Sequence, residues 1–142
     1  MATTLLTTDP MEIHRGWAKW SRKRLESAAI TIAELLDVNS YYVTTSPTEF
    51  RERTGYGTGR SLGYTNYATN TIYVGLRHKK RSQYWRREPQ GPLSVLVHEF
   101  CHLRWPKFPH SPKFSEYVCR VYNGEHIPRR KKTVDTLTID RK

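Results

Sequence analysis

PLSVLVHEFCHLRWPKFPHSPKF, residues 92–114, decides how this chain folds. It opens after Gly91 with a proline, which suits the first turn of a helix because its missing N–H would be unpaired there anyway. Leu93, Leu96, Val97, Phe100 and Leu103 then supply the apolar contacts of a helix over 92–104. Pro106 stops it, because the residue before a proline is pushed out of the helical region. Ser111 and Pro112 repeat the punctuation as N-cap and first residue of a second helix, SPKFSEYVCRVY, which Asn123 and Gly124 end with a left-handed cap signal.

Three of the chain's six histidines lie in this stretch. His98 and His102 are four residues apart, so on a helix both imidazoles project from one face about one turn apart and reach a single divalent ion. Glu99 lies beside them. It is poorly placed to be a ligand, but it can hold a water and take its proton as the water attacks a carbonyl, the ion having lowered the water's pKa towards neutrality. HEFCH is an HExxH motif. The bland alternative, two ordinary histidines beside a solvated glutamate, has to explain a pattern that is rare by chance in so short a chain. A catalytic zinc site needs a third protein ligand and one open position. His110, beyond the turn at 105–109 and at the start of the next helix, is the first candidate. Glu116, one and a half turns into that helix, is the substitute, and His126, past the helix-ending glycine, ranks below it. His14 and His78 sit in basic, non-motif settings and read as surface histidines. Cys101 points away from His102 and packs in the core, as does Cys119; two cysteines make no disulfide scaffold, and a four-ligand structural zinc site using one of them has no CxxC spacing to support it.

Upstream, residues 11–37 read as one helix on Ile13, Trp17, Trp20, Ala28, Ile32 and Leu35, started by Asp9 and Pro10 and ended by Asn39 and Ser40. YYVTT, 41–45, is a short strand, 46–60 a loop with a helical turn at PTEFRER, and SLGYTNYATNTIYVGL, 61–76, two strands joined by a turn at 68–70. Residues 77–90 form a long basic connection. The expected class is α+β, with one domain over 1–124 and a basic, flexible tail over 125–142.

There are 24 Lys and Arg against 13 Asp and Glu, a net charge of +11, and such a field attracts phosphate backbones. The basic residues cluster at 15–24, at 77–87 and at 129–132. Within the central run, Tyr84 and Trp85 can stack on unpaired bases. Lys79, Lys80, Arg81, Tyr84, Trp85, Arg86 and Arg87 are therefore the candidate nucleic-acid residues, with single-stranded or junction DNA as the partner. The alternative is a surface charged only for solubility. No run is apolar enough to span a bilayer, and MATTLLTTDP has no basic n-region or long apolar core, so the expectation is an intracellular, cytoplasmic monomer with no membrane partner.

HEFCHL, a short turn and then HSPKF resemble the SprT-like metalloproteases and the related YgjP-like and WLM groups, in which an HExxH helix is followed by a third histidine just before another helix. Phe114 matches the aromatic after that histidine, and GRSLGYTNYATNTIYVGL looks like the strand pair ahead of the HExxH helix. The resemblance covers roughly residues 40–122. It implies a compact zincin-like domain of helices packed on a small mixed sheet, with Zn2+ as cofactor and peptide-bond hydrolysis as activity. Relatives of this kind degrade proteins crosslinked to DNA. TIYVGL, 71–76, would be the edge strand beside the cleft and pair with an extended substrate. Tyr64, Tyr67, Tyr73 or Tyr117 would stabilise the oxyanion. The expected function is a zinc metalloprotease with His98, His102 and His110 as ligands and Glu99 as general base, acting on DNA-associated proteins. Its rivals are a non-catalytic, zinc-stabilised nucleic-acid-binding protein and a regulatory peptidase with no DNA role.

Overall fold

Five helices and three strands make up the residues described by the computed structural model, 9–76 and 87–129. In chain order they are α1 (Glu12–Arg15), α2 (Arg22–Leu36), β1 (Tyr42–Thr44), α3 (Pro47–Thr54), β2 (Gly63–Asn66), β3 (Thr71–Val74), α4 (Pro92–Arg104) and α5 (Pro112–Tyr122). Helix α4 is the axle of this α+β domain. Every residue from Leu93 to Cys101 is buried, because α4 packs against α2, α5 and the sheet at once. No helix among the described residues is long and apolar enough to cross a membrane.

The sheet is mixed, in the order β1-β3-β2, with β1 parallel and β2 antiparallel to β3. Successive side chains alternate between its faces. Tyr64 and Tyr73, opposite each other in register, meet Phe50 of α3 on one face. Thr65 meets α4 on the other. This order corrects the expectation that 71–76 is the edge. β3 is central and buried along its whole length, which is why TIYV reads as a continuous apolar run. The outer strands are β1 and β2, and GYTN of β2 is more polar and more exposed than TIYV, as an edge tolerates.

The single helix expected over 11–37 is two. α1 ends at Gly16, a poor helix former, and α2 starts at Ser21, whose hydroxyl accepts from the Arg24 N–H at 3.3 Å. Trp17 and Trp20 keep helical spacing but lie in the connection. They pack edge-on against each other, and the Arg24 guanidinium lies over Trp17. Ile13, the first residue of the expected apolar row, is exposed. At the other end Asp37, in the left-handed region, closes α2 before Asn39. The turn at PTEFRER proves to be the two-turn helix α3, capped by Ser46. α4 and α5 have the bounds their punctuation predicts. Beyond α5, residues 125–129 lie on the end of α2, with the Ile127 N–H donating to Leu35 O and the Arg129 N–H to Asp37.

His14 is not the surface histidine expected. It is buried between α1 and α2, with Nε2 2.9 Å from Thr31 Oγ1, its ring against Trp17, and Nδ1 without a partner among the described residues. Burial lowers its pKa below the ordinary 6.5. The unfolded chain therefore binds a proton that the folded chain refuses, so stability is lost as the pH falls below 6.5 towards the depressed value. His14→Gln keeps a polar group and cannot titrate. Denaturant midpoints at pH 7.5 and 5.5 should differ less in this variant than in the wild type; an unchanged difference would mean His14 does not contribute.

Candidate metal centre

His98 and His102 stand one turn apart on α4, and the turn at 105–109 brings His110 back to them at the start of α5. The three Nε2 atoms form a triangle with sides of 3.1, 3.2 and 2.9 Å. A tetrahedral ion bonded to imidazoles at about 2.0–2.1 Å sets its nitrogens about 3.3 Å apart, so the triangle fits three corners of such a site and leaves the fourth open. Lone pairs must be available for this. Burial, then the neighbouring His98 and His110, pull His102 down to about 3, and burial also lowers His110. A proton is therefore disfavoured where three nitrogens converge, while a metal ion that takes neutral imidazoles is accommodated. His98, His102 and His110 are the one group of metal-ligating side chains so clustered among the described residues. Glu116 is outside it, exposed and paired with Lys113 at 3.7 Å, and His126 pairs with Asp37.

Phe114 is the floor of the cluster. Its buried ring stacks on His102 with centroids 4.7 Å apart and meets His98 and His110 edge-on. Its place is set by Ser111, which caps α5 by accepting from the Phe114 N–H at 3.2 Å. Cys101 is buried in the core, as its direction on α4 predicts, while Cys119 is half-buried and its Sγ lies 3.3 Å from Arg87 O.

Glu99 lines the same cleft, a cavity of about 450 Å³ between α4 and the 60–67 segment, into which all three histidines open. Burial pushes its carboxyl up to about 7, against the pull of His98 and the Thr65 hydroxyl. Thr65 Oγ1 donates to Glu99 Oε1 at 2.6 Å and also lies 3.1 Å from the Glu99 carbonyl, which fixes the carboxylate against β2. Gly63 makes the approach possible. A Cβ there would stand 2.6 Å from Val95 Cγ1 and 2.8 Å from Glu99 Oε2, so only glycine lets β2 lie this close to α4. Gly63→Ala should cost about 1–3 kcal/mol of stability by overpacking and displace Glu99. Adding Val95→Ala removes the first clash and not the second. Thermal melts of the double variant should recover part of the stability while its structure still shows Glu99 displaced; recovery of both the stability and the Glu99 position would mean the second clash has no effect.

Of the four tyrosines considered, Tyr64 and Tyr67 line the cleft, Tyr73 faces α3, and Tyr117 stacks on Trp105 with centroids 4.7 Å apart. Of the candidate nucleic-acid residues, Lys79, Lys80, Arg81, Tyr84, Trp85 and Arg86 lie outside the described residues, as does His78; Arg87 is exposed.

Three contributors escaped the sequence reading. Thr65 carries no signal of its own. Gly63 does, as a glycine inside a strand pattern, which marks close backbone approach. Glu88, buried and 2.8 Å from His98 Nδ1, is the only acidic residue between Glu52 and Glu99, an isolated carboxylate in a basic run. Compared with known families, curated proteins and solved structures, the chain gives no significant match to any family model, curated protein or structure.

Proposed function

We propose that this chain is a zinc-dependent peptidase. The observation that supports it best is the triangle of His98, His102 and His110 Nε2 atoms opening into the cleft that also holds Glu99. Zn2+ held by the three imidazoles supplies a Lewis acid that polarises a carbonyl and makes water nucleophilic near neutral pH. Everything else falls to the chain. The outer edge of β2, which no other strand among the described residues pairs, runs beside the cleft and offers backbone groups to an extended substrate, a mode that reads little side-chain identity. Glu99 takes the proton of the attacking water and returns it to the leaving amine, and burial, which raises its carboxyl pKa, helps it hold the proton between the two transfers. Tyr67, whose phenol burial and then the Glu99 charge hold protonated, donates to the carbonyl oxygen as negative charge develops. An unstructured protein should be cut and a chelator should stop the cutting; cleavage that persists in chelator would remove this function.

The net charge of +11 supports substrates associated with DNA, and we place the contact on Lys79, Lys80, Arg81, Tyr84, Trp85, Arg86 and Arg87. Labelled single-stranded DNA should bind at low salt and release steeply as salt rises. No binding at low salt favours a peptidase with no DNA role. Binding by a protein that hydrolyses nothing favours a non-catalytic binding protein.

A further inference from the structure

We infer that Glu88, held by Ser115, is the positioning residue of the metal centre, fixing His98 with Nε2 turned to the cluster and strengthening its hold on the ion through a buried negative charge. This rests on the metal-site reading above and adds to it a residue outside the motif. Both carboxylate oxygens are engaged. Oε1 accepts from the His98 Nδ1–H at 2.8 Å, and Oε2 accepts from the Ser115 hydroxyl at 2.8 Å. The side chains of Glu88 and His98 are both almost wholly inaccessible to solvent.

Two consequences follow from elementary chemistry. A carboxylate accepts and does not donate, so the proton of a neutral His98 is on Nδ1 and the lone pair is on Nε2, the atom that faces His102 and His110. Secondly, a buried anion is costly unless a positive charge answers it. Among the described residues no Lys or Arg pairs with Glu88. Zn2+ held by His98 Nε2 would answer it through the imidazole. Ser115 stands on α5 and His98 on α4, so Glu88 also ties the helix that carries His98 and His102 to the helix that follows His110.

Glu88→Gln separates this role from packing, since the amide keeps the shape, can accept from His98 and can donate to Ser115, and lacks only the charge. Zinc affinity of the full chain is measured by competition with a chromophoric chelator, and the Co2+-substituted protein is examined by visible spectroscopy. The expected result is zinc binding weakened roughly tenfold to a hundredfold, with altered Co2+ bands. Wild-type affinity and an unchanged Co2+ spectrum in Glu88→Gln would overturn the inference and leave the metal site standing. A wild-type chain that binds neither ion would remove the metal site itself, and the inference with it. A second measurement does not depend on the variant folding: histidine-labelled, zinc-loaded wild type should show a slowly exchanging, far-downfield imidazole proton on His98 Nδ1. Its absence would overturn the inference as well.

Discussion

Glu99→Gln is expected to leave fold and zinc binding intact and to cut peptide-bond hydrolysis about a hundredfold to ten-thousandfold. The amide is nearly isosteric and can still accept the Thr65 hydrogen bond that fixes Glu99. The substitution also removes a buried carboxyl whose ionisation burial opposes, so the fold has no reason to suffer. What disappears is the ability to take a proton from the attacking water. Turnover of an unstructured protein by variant and wild type, at equal zinc content, decides the matter. Equal rates would assign the hydrolysis to some other group.

His110→Ala should abolish stoichiometric zinc and leave the metal-free chain as stable as before. Of the three histidines it is the exposed one, on the turn before α5, so its imidazole does little for the core. His98 is buried against Glu88 and would confound ligand loss with core damage. Zinc that binds only the folded chain stabilises it by about 4 kcal/mol when free zinc is a thousand times its Kd. That corresponds to a rise of roughly 15 °C in Tm for a domain of this size. The wild type should show such a shift on adding zinc, and His110→Ala should lose most of it. A full shift in His110→Ala would exclude His110 as a ligand.

The parts of this structure legible in the sequence are those whose cause is local. Pro92, Pro106, Ser111, Pro112 and Gly124 act on the backbone within a few residues, and the bounds of α4 and α5 follow from them. The spacing of His98 and His102 is a property of one helix, so their convergence was foreseeable. The edge of the sheet was not. Whether β2 or β3 is central depends on β1, some thirty residues earlier, pairing in parallel with β3, and TIYV looks the same as an edge or a centre until that partner is placed. Trp17 and Trp20 misled for a related reason. Their helical spacing is real, but they pack against each other and against the core from a connection between two helices, not from one continuous helix. Glu88, Thr65 and Gly63 reach the site from other segments through tertiary packing, and no motif spacing links them to His98 or Glu99.

In the proposed mechanism the histidine triangle holds an ion on which hydrolysis depends. The most direct test of this is to strip the protein with a chelator, titrate zinc back and follow cleavage of an unstructured protein substrate. Activity should be absent at first, rise in proportion to added zinc, and level off at about one equivalent per chain. Saturable binding of one zinc with no cleavage at any point in the titration would contradict the account.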